Sequence, residues 1–500
     1  MGALRKGSLA SLLLVFQQAA LKSVGLVSTL VLARILLPED FGIIAIAMLF
    51  LGLVQILAQT GSAQYLLRVD KLDDDIVNTA WTIDFILKSI IAVPMIASAF
   101  LAAHYYDDPR LINIILTFTF LHLVSNWGNP GLAYLRRVQD YGSIVKLSII
   151  TKVMTVIVVI ITALTLQNYW ALVIGRVVGT FSGLIGSYFI YSYRPKFQLT
   201  NAKEQWQFSG WVIPQSIFGY VRTQLDSFLV STSFGLAGLG SYNTIKYISY
   251  MPNAYLLLPI TQTFLVELVK AKVDRNYFNK QYNASFILIM LIAAPITSIM
   301  YLHHELVTLF ILGPNWLEYS YLMSFFSLLI PAAVVLRQAS RVLLVYGKTK
   351  YIFFYECIAF IFVYTPLFII GIDDLRLFSA VRVIAEIIIT FIFLVVVALK
   401  YTGIKNTVLL VFSLVPMALG IFIAALVTNM VGILNINVFV DLSVITFVFT
   451  SVFTLVVLIF HVLVLRRFAD WKYLEGIIFR VIAPVVDKLQ RKLNSDSRLE

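Results

Sequence analysis

The stretch ILLPEDFGIIAIAM, Ile35–Met48, places Pro38, Glu39 and Asp40 between two runs apolar enough to lie in hydrocarbon. A proline followed by two acids cannot sit in the middle of a membrane-spanning helix, but it does mark the start of a new one. The first run therefore predicts a span that ends near Ile35, a turn at the membrane surface, and a second span beginning near Gly42.

The same pattern recurs to the end of the chain. Sixty per cent of the 500 residues are apolar and 13% are charged, about half the charged share of an ordinary soluble protein. A span needs about 20 mostly apolar residues. Fourteen such segments are read, at approximately 11–35, 42–66, 78–102, 111–134, 146–166, 168–191, 208–232, 240–266, 282–301, 319–341, 351–371, 378–399, 407–430 and 441–465. The first run is too long and lacks the cleavage site of a signal peptide, so it is read as the first span. The single Cys357 falls in span eleven and is read as packing.

Lysine and arginine concentrate in alternate loops. One side holds Arg5, Arg68, Arg136, Arg137, Arg194, Lys270, Arg275, Arg337, Arg341, Lys348 and Lys400 among others, while the other holds only Arg110 and Arg376. Basic residues are retained in the cytoplasm, which predicts cytoplasmic termini. The net charge of +12 is largely this bias, and neither nucleic acid nor nucleotide is needed to explain it. Residues 467–500 mix Trp471, Leu474 and Ile477 with basic residues, the pattern of an amphipathic tail on anionic membrane lipids, with a partner-binding tail as the alternative.

ILLPEDFG has a counterpart. In STSFGLAGLGSYNTIK, Ser231–Lys246, Gly240 matches Gly42 at an offset of 198. Further on, YLRRVQDYGSIVK matches QASRVLLVYGKTK at 205, and GRVVG at 175–179 matches VRVIA at 381–385, with Arg176 against Arg382 at 206. The expectation is an all-α polytopic membrane protein with two parallel six-helix repeats, 1–200 and 201–402, two added helices over 403–466, and the tail. Transporters with parallel repeats bind substrate between the halves.

Charges inside the spans were sorted by what can neutralise them. Arg34, Lys152 and Lys246 lie near span ends and can snorkel to headgroups. Asp84 with Lys88, and Arg382 with Glu386, are four residues apart and can pair on one helix face, as cavity groups or as structural pairs. Gln18, Lys22, Gly25 and Thr29 form a polar stripe on span one, as do Gln215, Gly219, Arg222 and Asp226 on span seven. Two such stripes, each with a cation, predict a wet cavity. Arg176 lies among Gly175, Gly179 and Gly183, whose spacing suits close helix packing, and it either points inward or pairs with Glu356. A cationic cavity selects a phosphate or diphosphate.

The GKT at 347–349 lacks the earlier glycine of a phosphate loop, so no nucleotide-hydrolysing domain is read. His303, His304 and Glu305 are read as a surface cluster and not a metal site, and no cofactor or catalytic constellation is identified. The sequon at Asn283 is read as chance or as an inward-facing loop.

LARILLPEDFG at 32–42, GSAQYLLR at 61–68, LDSFLVSTSFGLAGLGSYN at 225–243 and VYGKTK at 345–350 resemble the polysaccharide-exporter branch of the multidrug, oligosaccharidyl-lipid and polysaccharide flippase superfamily. Within it they are most similar to Wzx-type O-antigen and capsule flippases and to colanic acid, teichuronic acid and succinoglycan exporters. The resemblance implies a bacterial inner-membrane protein that carries an undecaprenyl-diphosphate-linked oligosaccharide to the periplasmic leaflet, in the company of polysaccharide polymerase and chain-length machinery. It also implies cavity cations at Lys22 and Arg222, then Arg176, Arg382 and Lys88, with Gln18 and Gln215 beside them, and ion-coupling acids at Asp226, Asp84 and Glu386. Related peptidoglycan-precursor flippases carry several arginines on spans one and two, and span two here has none before Arg68. A drug exporter of the same fold would want acids in its cavity, and a membrane-embedded polymerase would want arginines in a large outer loop, whereas the loop near 302–318 has neither lysine nor arginine.

Overall fold

With no water in hydrocarbon to satisfy peptide groups, a spanning chain closes its hydrogen bonds within helices. The computed structural model describes residues 2–57, 62, 65, 66, 69, 71–200, 202–370, 374–431 and 437–463, with side chains described for all of these except 2–12, 57, 203–218, 263, 266, 370, 431 and 463. The spans within it are α-helical.

Among the described residues twelve helices are long and apolar enough to cross a membrane, so the chain is a multi-pass membrane protein. The helix Arg110–Ser125 is apolar but shorter, and Gly219–Ala271 runs continuously over two of the expected spans. Counting the former and dividing the latter recovers the fourteen read from the sequence. The division falls at Gly235, whose φ of 66° and ψ of −165° interrupt the helix Ala202–Pro252. That backbone region is open to glycine and strained for other residues.

By internal contacts the chain forms two units, Met1–Thr244 with Ile311–Trp316, and Ile245–Phe310 with Leu317–Glu500. The first holds α1 (Gly2–Ile35), α2 (Pro38–Leu57), α3 (Asp74–Tyr105), α4 (Arg110–Ser125), α5 (Leu132–Arg137), α6 (Gly142–Leu166), α7 (Trp170–Ile190) and most of α8 (Ala202–Pro252). The Pro-Glu-Asp break begins α2 as its residues require: Asp40 accepts from Leu37 N at 3.0 Å through Oδ2 and from Tyr169 N at 2.8 Å through Oδ1. One carboxylate thus caps α2 and ties its start to the segment entering α7. Leu32, Leu36, Val159, Ala163 and Ala171 form the apolar core that joins α1, α6 and α7.

Within this unit, residues 38–42 and 236–240 meet backbone to backbone. A Cβ on Gly42 would fall 1.9 Å from Leu236 O, and a Cβ on Gly240 would fall 1.9 Å from Pro38 O. Both pairs, 38 with 236 and 42 with 240, are related by the offset of 198, so the contact is reciprocal in the way of a two-fold interface.

The second unit holds α9 (Leu258–Ala271), α10 (Arg275–Leu302), α11 (His304–Ile311), α12 (Tyr321–Ser327), α13 (Leu329–Val345), α14 (Lys350–Ile370), α15 (Leu375–Tyr401), α16 (Ile404–Phe412), α17 (Val415–Val431) and α18 (Val438–Leu463). Its polar core is hydrogen-bonded helix to helix. Asn283 and Asn406 exchange amide bonds at 2.8 and 3.2 Å, and Gln338 Nε2 donates to Tyr282 O at 2.6 Å. Asn283 is buried in α10, so the sequon lies in a helix and cannot present its amide for glycosylation. The expected amphipathic tail at 467–500 lies outside the described residues.

Candidate functional site

Three helices of the first unit, α1, α6 and α7, leave a cavity of about 630 Å³ between them, within the usual range for a ligand site. Its shape follows from the glycines of α7. At Gly175 the helices touch, since a Cβ there would lie 2.0 Å from Val159 Cγ2. One turn on, a Cβ on Gly179 would lie 3.1 Å from Thr155 Oγ1, and at Gly183 it would meet nothing within 4 Å. Gly175 and Gly179 therefore pack as their spacing predicted, while Gly183 keeps space open.

Two cations line this space, Arg176 on α7 and Lys152 on α6. The α6–α7 contacts, Val159 with Gly175 and Thr155 with Gly179, put Lys152 level with residue 182, about 9 Å along the axis from Arg176. Lys152 Cε and Nζ each stand 3.7 Å from where a Cβ on Gly25 of α1 would be, an ordinary contact distance, so the ammonium lies against α1. Neither cation has an ion-pair partner among the described residues, and no Asp or Glu lines the cavity.

The hydroxyls around them donate elsewhere. Thr29 bonds Gly25 O at 3.0 Å, Ser148 bonds Ile144 O at 2.9 Å, Thr155 bonds Thr151 O at 2.7 Å and Thr180 bonds Arg176 O at 2.9 Å. Each proton returns to its own helix. Thr151 Oγ1 is buried without a partner. The donors left for a ligand are the guanidinium, the ammonium and the hydroxyls of Ser28 and Thr151, a set suited to an anion.

The residues expected from sequence are placed unequally. Gly25 and Thr29 of the span-one stripe line the cavity, Lys22 is half-buried one residue from lining Leu21, and Gln18 is exposed. On the span-seven stripe Arg222 is half-buried, and the Gln215 side chain lies outside the described ones. Asp226 is wholly buried and accepts from Tyr242 OH at 3.0 Å and from Ser227 N at 3.0 Å, so a coupling ion would have to share those bonds. Asp84 accepts from Ser62 Oγ at 2.6 Å, and Lys88 has no ion-pair partner among the described residues, which removes the expected Asp84–Lys88 pair. In the second unit Arg382 Nη1 does meet Glu386 Oε2, at 2.6 Å.

Three cations fall elsewhere than the sequence places them. Lys152, expected at a span end, lines the cavity. Arg337, expected in a cytoplasmic loop, donates from α13 to Asn253 Oδ1. Arg341, counted with the cytoplasmic loops, is buried in α13 with Nη1 3.3 Å from Gln338 Oε1. Its polar neighbour one turn before, Gln338, was the available signal.

Residues 31–321, 58% of the chain, match a family described as polysaccharide biosynthesis protein. Lipopolysaccharide biosynthesis protein WzxC of Escherichia coli is 20% identical over 58% of this chain and 60% of its own length. Succinoglycan biosynthesis transport protein ExoT of Rhizobium meliloti is 20% identical over 57% of this chain and 58% of its own. The chain thus spans about three fifths of the length of these curated relatives. Among solved structures, lipid II flippase MurJ in an inward closed conformation superposes with a TM-score of 0.68 at 16% identity, over 91% of this chain and 98% of that one. An inward-facing multidrug resistance MATE family transporter gives 0.50 at 13% identity, over 77% and 95%. These likenesses establish the fold shared by MurJ and the MATE transporters. With more than half its length matched, the chain belongs to the polysaccharide biosynthesis protein family.

Proposed function

We propose that this protein is a flippase that moves an undecaprenyl-diphosphate-linked oligosaccharide from the cytoplasmic to the periplasmic leaflet of a bacterial inner membrane, for assembly of a surface polysaccharide. It acts as a transporter and not as an enzyme, with both termini cytoplasmic, and hands its cargo to the polymerase and chain-length machinery. The observation that carries this reading is the α1–α6–α7 cavity with Arg176 and Lys152 free of counterions among the described residues. Two cations on facing helices, about two turns apart, suit the two phosphates of a diphosphate. Lys22 and Arg222 extend the cationic surface. Alternating exposure of the cavity to the two faces of the membrane carries the headgroup across.

The lining also bears on the drug-exporter alternative, because a cationic drug would meet two cations and no acid.

The test uses proteoliposomes loaded with a lipid-diphosphate oligosaccharide and measures its exposure to an external glycosidase. The wild-type protein speeds exposure, and Arg176→Ala and Lys152→Gln each slow it by roughly tenfold or more, the worth of one charge-assisted hydrogen bond. Equal rates in all three would remove the cavity from the mechanism. No acceleration by the wild type with several glycans would remove the flippase reading itself.

A further inference from the structure

The second unit carries a groove of about 320 Å³ between α14 and α15, floored by α13 at Leu343. Its walls are apolar. Phe354, Ile358, Ile392 and Val396 line it and are themselves exposed. Of the three tyrosines that line it, Tyr355 is already satisfied, because its OH bonds Thr390 Oγ1 at 2.8 Å while its ring stacks on Phe393 with centroids 4.2 Å apart. From Ile389 to Lys400 the groove follows α15 for about 16 Å.

One end is different in kind. Lys400 Nζ lies 5.2 Å and Lys350 Nζ 5.4 Å from the centroid of the Tyr351 ring, so two ammoniums flank one aromatic at the mouth. Neither has a carboxylate partner among the described residues. Both belong to the basic side of the loop pattern, where a lysine stem follows apolar surface and its head reaches the headgroup layer.

We infer that this groove binds one acyl chain of an anionic glycerophospholipid of the basic-side leaflet, with the lipid phosphate held between Lys350 and Lys400. An apolar trough on a membrane-spanning helix pair has hydrocarbon as its solvent, and the cation pair at one end selects a lipid by its phosphate charge. The site is separate from the α1–α6–α7 cavity and does not depend on the transport reading.

The test uses the full chain in nanodiscs with two photoreactive probes, phosphatidylglycerol and phosphatidylcholine carrying the same diazirine acyl chain. The phosphatidylglycerol probe labels the peptides covering 351–358 and 389–397 more heavily than the phosphatidylcholine probe. Lys350→Gln and Lys400→Gln each lower that labelling by roughly fivefold. Val396→Trp, which fills the groove and leaves both cations, abolishes labelling in a protein whose thermal transition matches the wild type. Equal labelling by the two probes, or labelling indifferent to the lysines, overturns the inference. Displacement of the label by undecaprenyl diphosphate but not by unlabelled phosphatidylglycerol also overturns it, giving the groove to a polyprenyl chain.

Discussion

Arg176 and Arg382 are matched at an offset of 206 in the sequence, yet only Arg382 has a carboxylate partner among the described residues. Four residues beyond Arg382 is Glu386, and the two meet at 2.6 Å. Four residues beyond Arg176 is Thr180, whose hydroxyl turns back to Arg176 O at 2.9 Å and leaves the guanidinium to the cavity. Helix geometry is the same at both places, because residues four apart share a face. One side chain separates an arginine that meets a carboxylate from one that has none among the described residues.

The largest effect is expected from supplying it. Thr180→Glu gives Arg176 the partner that Arg382 has, and glycosidase exposure in the proteoliposome assay falls by roughly tenfold or more. Thr180→Gln adds the same bulk without charge and keeps at least half the rate. Equal losses in both would mean that space, and not charge, controls the cavity.

The equivalence underlying this comparison can be broken at its closest contact. Gly42→Ala and Gly240→Ala each drive a Cβ into a carbonyl of the opposing segment. Overpacking of this kind costs about 1–3 kcal/mol. Reciprocity predicts similar drops in detergent melting temperature for the two variants, and a drop confined to one would show that the contact is not symmetric in energy. Ala substitution at Gly183, which meets nothing within 4 Å, leaves the melting temperature in place.

Glu386→Gln sharpens the second half of the comparison. It leaves Arg382 without its counterion on a helix face where the two side chains are 12% and 34% exposed. Partial exposure limits the cost to about 1 kcal/mol. Melting should fall by a few degrees while flipping changes less than twofold. A loss of flipping as large as that of Arg176→Ala would make Glu386 a transport residue, as an ion-coupling role requires.

Much of this was legible in the sequence because the membrane imposes simple rules. Apolar runs and polar breaks such as Pro38–Asp40 give the spans, and the offset of 198 aligns residues that the fold brings into contact. Spacing also found the Arg382–Glu386 pair. It failed for Asp84, whose carboxylate found a hydroxyl on another segment, Ser62, because helical spacing lists neighbours on one helix and not those of the next. Lys152 was missed for a related reason: nearness to a span end permits snorkelling, but its ammonium lies against Gly25 of a different helix and lines the cavity. Arg341 was lost to a loop boundary that lay within a helix. Position along the chain was readable, whereas side-chain direction was set by residues far away in sequence.

Asp108 and Arg110 give the same pair of charges in the short loop between α3 and α4, with the carboxylate buried and the guanidinium half-exposed. Arg110 Nη2 lies 2.7 Å from Asp108 Oδ2, with the arginine 47% exposed. Burial works against the Asp108 charge, but the hydrogen bonds and charge of Arg110 outweigh it and hold the carboxyl below its ordinary range. A carboxylate with a lowered folded pKa contributes stability that is present above its unfolded value of about 4 and is lost as pH falls through the folded one. Solvent screening holds this contribution below about 1 kcal/mol. Asp108→Asn should therefore lower the melting temperature slightly at pH 7, by less than Glu386→Gln, and the difference from wild type should disappear as pH falls through the lowered pKa. A difference that persists in acid would come from the bond the amide cannot make, Arg110 Nη2 to Asp108 Oδ2 at 2.7 Å, and not from charge.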